Sequence, residues 1–255
     1  MRPNILVIAG HDPSGGAGIH ADIEAIQSTG GFARTLNTAL TVQNRRKVSS
    51  FQLTDLELLE QQADALLADY QFHAVKIGMT GSVATVEWIA RLLARLPGVP
   101  VVLDPVLAAE SGGSLAQGDL NQALMERIAP QATVLTPNLP EAGQLSGETG
   151  VAEAAATLPG RCGRAGLVPG THDYTDQVAN HLFQGDHHRP WEWPRLPEVY
   201  HGSGCSLASA IASLLARGLP LEEAVGDAQA WLYRTLQHAW RPGGGQFVPD
   251  RSLIP

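Results

Sequence analysis

The chain is poor in lysine, in cysteine and in long apolar runs, and each shortage closes off a class of function. Only Lys47 and Lys76 stand beside fifteen arginines in 255 residues, and the formal net charge is −8. No basic stripe is left to neutralise a nucleic-acid backbone, so DNA and RNA are not expected partners. The two cysteines, Cys162 and Cys205, are too few for a disulfide framework at this length and read as free thiols. The apolar run near the N-terminus, Ile5 to Ala9, stops at Gly10. It is shorter than a signal-peptide core or a membrane span, which predicts a soluble, cytoplasmic protein with no membrane contact. A G-x-x-x-x-G-K-[ST] stretch is missing as well, so nothing predicts a P-loop.

Hydrophobic residues make up 44% and charged residues 16%, enough apolar surface for a sizeable core. Short β-rich runs alternate with segments of helical period, the pattern of a parallel sheet covered by helices. Residues 4–9, 32–40, 74–79, 101–106 and 133–138 read as strands. Ile19, Ile23 and Ile26 keep helical spacing and stop at Gly30-Gly31, which predicts a helix over 17–29. Leucine-rich segments starting near Leu56, Trp88 and Leu120, and the stretches 204–217 and 220–239, supply further helices. Around Gly185-Asp186 the period shortens, so 175–194 reads as a hairpin at the sheet edge. No linker or repeat interrupts the chain. The expected architecture is α/β, one doubly wound, mostly parallel sheet with helices on both faces, over 1–255 as a single domain.

In such sheets ligands bind beyond the carboxyl ends of the strands. Here those positions carry GHDPSGGAGIHAD, GMTGS, DPVLAAESGG and TPNLPEAG. Gly16-x-Gly18-x-x-Ala21 formally satisfies a dinucleotide fingerprint, but the acidic residue required about twenty positions on is replaced by LNTALT. A different anion site stands in HGSGCSLASAIASLLARG, 201–218. Gly202, Ser203 and Gly204 let successive amides converge where a helix starts, which suits a phosphoryl group gaining charge during transfer. Cys205 falls in the first turn, where the helix dipole favours a thiolate able to take a proton from a hydroxyl. A small buried side chain chosen for volume is the other reading of Cys205.

These stretches together resemble the hydroxymethylpyrimidine and phosphomethylpyrimidine kinases of thiamine synthesis, in the ribokinase-like superfamily. IAGHDPSGGAGIHADI, TALTVQN, VKIGM, VVLDPV with its SGG, LTPNLPEA and HGSGCSL match that family's signatures in order, from about Asn4 to Pro249. The resemblance implies ATP-dependent phosphorylation of hydroxymethylpyrimidine and its monophosphate, with Mg2+, in a homodimer. A pyridoxine or pyridoxal kinase of the same superfamily, or a pyrimidine sensor without turnover, are the alternatives. By resemblance Asp22, Gln43 and Gly10 hold the pyrimidine, with Met79 and Val106 as apolar walls. An amide such as Gln43 offers an aminopyrimidine both a donor and an acceptor. Asp104, Asn138 and Glu141 match the signatures that organise Mg2+ and its waters near the nucleotide phosphates. Without the resemblance, Glu141 reads as a charge favourable to a helix start. Cys205 takes the place of the base, with Gly202, Ser203 and Gly204 as the cradle for the transferred group.

The chain departs from the family pattern in four places. Val168-Pro169-Gly170-Thr171-His172 replaces a K-G-G-H run, PGGGQFVPD lacks a basic residue, His11 replaces serine, and the segment between Gly147 and Gly170 is short. Arg241 is the nearest cation to the glycine run. His172, His181, His187 and His188 read as solvated turn residues rather than zinc ligands, since neighbours in a hairpin point to opposite sides. Trp191 and Trp193 are expected to share one face, as a dimer contact or a lid.

Overall fold

The computed structural model describes residues 2–107, 119–148, 153, 156–158, 164–170 and 176–253. The SGG at 111–113, Cys162, Thr171 and His172 therefore lie outside the described residues. The opening strand, β1 (Asn4–His11), shows why the sheet is central. Leu6 and Ile8 point into one core cluster while Ile5, Val7 and Ala9 point into another, all buried. A strand covered on both faces needs a continuous apolar run rather than alternation, and NILVIA supplies one.

The remaining elements follow in order: α1 (Gly18–Ser28), β2 (Phe32–Asn44), β3 (Lys47–Leu53), α2 (Leu56–Asp69), β4 (Ala74–Ile77), α3 (Val83–Leu93) and β5 (Val101–Leu103). Then come α4 (Leu120–Ala123), continued by a π turn to Ile128, β6 (Val134–Leu135), α5 (Leu139–Ser146) and β7 (Ala165–Pro169). The chain closes with β8 (Gln177–Gln184), β9 (His187–Pro194), α6 (Ser203–Ala216) and α7 (Leu221–Gln237). At the start of α2 Asp55 accepts from the amides of Glu57 and Leu58, and at the start of α3 Ser82 accepts from that of Thr85.

Among the described residues the sheet has nine strands in the order β3-β2-β1-β4-β5-β6-β7-β8-β9. The pairs from β2 through β7 are parallel, whereas β2–β3, β7–β8 and β8–β9 are antiparallel. The doubly wound α/β reading holds, and the hairpin expected near 175–194 is β8–β9. A second hairpin, β2–β3, borders the opposite edge. It went unread because its turn, Asn44-Arg45-Arg46, contains neither glycine nor proline. Trp191 and Trp193 do share a face, and that face covers α7: Trp193 stacks on Tyr233 at 5.1 Å and donates to Gln229.

The winding reverses between β1 and β4, whose crossovers lead to opposite sides of the sheet. In sheets wound this way ligands bind at the switch point, here at the carboxyl ends of β1, β4 and β5.

Candidate active site

At this end of the sheet the site is built first from the loop after β1. Asp12 turns the chain by accepting from Ser14 N (2.8 Å), Ser14 Oγ (3.0 Å) and Ala17 N (3.0 Å). It also accepts from His201 Nε2 at 2.9 Å. Burial alone would raise this carboxyl, but the bonds from His201 and Ser14 outweigh it and hold Asp12 well below the usual carboxylate range. Asp12 is therefore ionised, an acceptor only, which fixes the proton of His201 on Nε2.

His201 leads directly into the glycine turn. Its amide donates to Phe247 O at 2.8 Å, tying the turn to the segment before the C-terminal tail. Gly202 has φ +78°, and a Cβ there would collide with the carbonyl of Gly16. Only glycine fits so close an approach at that angle. Arg251, almost wholly buried, locks the two loops together: Nη2 donates to Gly16 O (2.5 Å), Nε to Ser206 Oγ (2.7 Å) and Nη1 to Glu24 (3.1 Å).

From this brace α6 begins without a side-chain cap. The first amides of a helix have no partner within it, so those of Ser203, Gly204 and Cys205 are donors in need of an acceptor. Gly204 is exposed, with open space where a Cβ would stand. An uncapped, open helix start is a place for an anion.

Beneath it lies a group of buried charges. Lys76, in the middle of β4, has no solvent contact and pairs with Asp22 Oδ1 (2.9 Å) and Asp104 Oδ2 (3.5 Å). Neither contact has hydrogen-bond alignment, and Asp22 Oδ2 and Asp104 Oδ2 are buried without a hydrogen-bond partner. Burial works against the ammonium, yet the charges of Asp22 and Asp104 prevail and keep Lys76 protonated. Burial raises Asp104, and the neighbouring lysine opposes that rise.

Cys205 is partly buried at this group, and its sulfur receives the amide of Gly18. The helix dipole alone would favour a thiolate, and the sequence leaves the resting state of the group open. Burial pushes the thiol up, the nearby carboxylates of Asp104 and Asp22 push it further, and Lys76 offsets only part. At rest the group is a thiol.

The other anticipated residues fall in three places. A Cβ on Gly10 would lie 2.8 Å from Met79 Sδ, and Met79 packs with Ala39 while Val106, Phe51 and Leu53 close around them. Gly10, Met79 and Val106 therefore line one apolar patch under the β2–β3 hairpin. Asp22 is wholly buried, facing Lys76 and accepting from Ser209 Oγ at 2.7 Å. Asn138 and Glu141 form a capping box at the start of α5. Glu141 takes Asn138 N (3.0 Å) on one oxygen and Leu107 N (3.2 Å) on the other, so it ties α5 to the loop after β5.

Sequence reasoning missed Asp12, Lys76, His201 and Arg251. A signal existed for Lys76, a charge inside the apolar run AVKIGM of a buried strand. For Arg251 there was none. Pro169 sits at the end of β7 opposite Asn180 of β8. Arg241 donates to Gly245 O at 2.9 Å, while Arg45 and Arg46 from the β2–β3 turn donate to Gln246 O and Gly244 O.

No group of three His, Cys, Asp or Glu side chains among the described residues could cage a metal ion. The donors present fit a Mg2+ that keeps its waters: Asp104 Oδ2 has the lysine at 3.5 Å but no hydrogen-bond partner, and both oxygens of Glu141 already take amides. No helix among the described residues is long and apolar enough to cross a membrane.

Comparison with known proteins places this arrangement. A family model described as phosphomethylpyrimidine kinase matches residues 12–250. A hydroxymethylpyrimidine/phosphomethylpyrimidine kinase of Rhizobium meliloti is 38% identical, over 96% of this chain and 95% of that protein. A thiamine biosynthesis multifunctional protein of Corynebacterium efficiens is 36% identical over 99% of this chain, which spans only 36% of its length. Among solved structures, pyridoxal kinase from Staphylococcus aureus with AMP-PCP and pyridoxal superposes with a TM-score of 0.90 at 25% identity, covering 99% of this chain and 94% of that one. A phosphomethylpyrimidine kinase from Clostridium difficile gives 0.79 at 28%, covering 92% and 100%. A ribokinase-like sheet, an uncapped glycine turn leading into Cys205, and a family model matched across almost the whole chain agree: the chain belongs to the phosphomethylpyrimidine kinase family.

Proposed function

We propose that this chain transfers the terminal phosphoryl group of ATP to the hydroxyl of a hydroxymethylpyrimidine, and then to the monophosphate so formed. The observation that carries this reading is the uncapped start of α6, with open space before Gly204 and Cys205 beside it. The amides of Ser203, Gly204 and Cys205 stabilise the charge that develops on the phosphoryl group in flight. Gln43 addresses the ring and its amino group from above, Met79, Val106 and the backbone at Gly10 pack its faces, and Asp22 supports the site through Lys76.

Cys205 takes the hydroxyl proton. Since the thiol rests protonated, its own proton has to leave, and Asp104, the nearer in effect of the two carboxylates beside it, is the acceptor at hand. Mg2+ would be held through waters by Asp104, and by Asn138 and Glu141 at the start of α5, where it would neutralise phosphate charge when bound. A homodimer is the expected assembly.

A second reading has its own observation: the backbone superposes better on a pyridoxal kinase than on a phosphomethylpyrimidine kinase. ADP release measured with hydroxymethylpyrimidine and with pyridoxal decides between them. A higher kcat/KM for the pyrimidine alcohol supports the first reading, and the reverse order replaces it with the second. If neither alcohol stimulates turnover while the pyrimidine still raises Tm, the protein is a sensor.

A further inference from the structure

Positive charge in this acidic chain collects at one place that the chemistry above does not use, the tip of the β2–β3 hairpin that covers the Gly10–Met79–Val106 patch. The turn there presents Arg45 and Arg46 to the glycine run 243–245. Arg45 Nη1 donates to Gln246 O at 2.6 Å, Arg46 Nε donates to Gly244 O, and Arg241 Nε donates to Gly245 O at 2.9 Å. Three guanidinium groups thus sit on the carbonyls of three successive residues. The close approach needs glycine: a Cβ on Gly244 would run into Arg46 Nη2, and one on Gly243 or Gly245 would crowd Arg45. Each arginine gives one of its five N–H groups to a carbonyl, which satisfies a donor without cancelling a charge. Among the described residues no carboxylate stands within ion-pair distance of any of the three. Arg46 and Arg241 are exposed, and Arg45 is half-buried. Two residues after Gly245, Phe247 takes the amide of His201, so the cluster lies between the hairpin tip and the segment that enters the glycine turn.

We propose that Arg45, Arg46 and Arg241 bind the phosphate of the second acceptor, the pyrimidine monophosphate, and so set the preference of the site for that acceptor over the alcohol. The inference rests on the reading given under Proposed function and adds the residues that tell its two acceptors apart. The alcohol is neutral, whereas a phosphate monoester carries a charge of about −1.5 to −2 near pH 7. Guanidinium groups match phosphate oxygens with pairs of parallel N–H···O bonds. The nucleotide brings phosphates as well, but its terminal group is addressed by the amides at the start of α6, while the hairpin tip belongs to the wall of the pyrimidine patch. Arg45 holds that tip to the glycine run through Gln246 O, and Arg46 and Arg241 are the surface pair that meets the ligand. These are specificity-determining residues, since the bond that forms and the bond that breaks lie at the cradle.

The test uses the full chain as wild type, Arg46→Gln, Arg241→Gln, the double variant and Arg46→Lys. With saturating ATP, kcat/KM is measured for hydroxymethylpyrimidine and for its monophosphate, at low and at high potassium chloride. One charge-assisted hydrogen bond is worth about tenfold, so each glutamine variant is expected to lower the ratio of monophosphate to alcohol kcat/KM by that factor, and the double variant by more. Salt is expected to lower the ratio in the wild type and to leave that of the double variant in place. Arg46→Lys, which keeps the charge and loses the fork, is expected to recover part of the loss. An unchanged ratio overturns the assignment. An equal fall with both acceptors together with a raised KM for ATP also overturns it, because the cluster then serves the nucleotide. A second measurement needs no turnover: phenylglyoxal modification of Arg46 and Arg241, read by mass spectrometry, with the monophosphate or the alcohol as protectant. If the wild type phosphorylates neither acceptor, the functional reading fails, while protection by the monophosphate and not by the alcohol still upholds the arginine site. No protection by the monophosphate overturns it.

Discussion

Lys76 Nζ lies 2.9 Å from Asp22 Oδ1 and 3.5 Å from Asp104 Oδ2, with the lysine and Asp22 wholly cut off from solvent. One cation thus serves two buried carboxylates at the floor of the site. Removing one member of a buried pair leaves an uncompensated charge and costs about 3–5 kcal/mol. Lys76→Met should lower unfolding stability by that amount in urea titrations. Lys76→Met with Asp22→Asn should regain part of it, because the second change removes an orphaned charge.

Gly202 and Gly204, two residues apart, should respond in opposite ways to alanine. At Gly202 the backbone is left-handed and the new Cβ meets the Gly16 carbonyl, so Gly202→Ala should lower Tm by several degrees, reflecting a loss of about 1 kcal/mol or more. At Gly204 the Cβ meets nothing, and Tm should hold. Gly204→Ala should nevertheless reduce ATP turnover, since the methyl group enters the space before the amides. Thermal melts beside activity assays separate the two effects.

Asp12 gives a pH dependence of definite sign. Its folded-state value is depressed by His201 and Ser14 against the pull of burial. Its stabilising contribution is fully present above the unfolded carboxylate value of about 3.9, and is lost as the pH falls from there toward the depressed folded value. Asp12→Asn should therefore flatten the acid limb of the stability curve below about pH 4, as followed by circular dichroism. An acid limb identical to the wild type would remove Asp12 as its source.

Cys205 should be a slow nucleophile. With burial and two carboxylates holding it as a thiol, alkylation at neutral pH in a Cys162→Ser background should be slower than for an unhindered cysteine and should accelerate only in strong alkali. Mass spectrometry of iodoacetamide-treated protein reads the rate. Fast modification near pH 7 would mean that the dipole overcomes burial.

The sequence carried the fold well where local signals were strong. Buried strands such as NILVIA and helices with leucine or isoleucine at helical spacing appear close to where they were expected. β3 escaped because its turn is built from asparagine and arginines, and its exposed edge needs little apolar patterning. Within the site, glycine and cysteine spacing pointed to the α6 turn, since amides and a dipole follow directly from a helix start. The state of the thiol did not follow. It depends on Asp22 and Asp104, which lie 183 and 101 positions away along the chain, and only tertiary packing brings them near. For the same reason His201 and Arg251 were silent: a hydrogen bond from residue 201 to residue 12 leaves no mark on spacing.

Arg251 closes the Gly16–Ser206 gap from the tail, and Phe247 receives the amide of His201. A shortened product ending before residue 246 would retain every strand and helix described above while lacking both fastenings. Such a species would look native by circular dichroism and be a poor phosphotransferase, so completeness of the last few residues, rather than folded content, is the attribute to verify in any preparation.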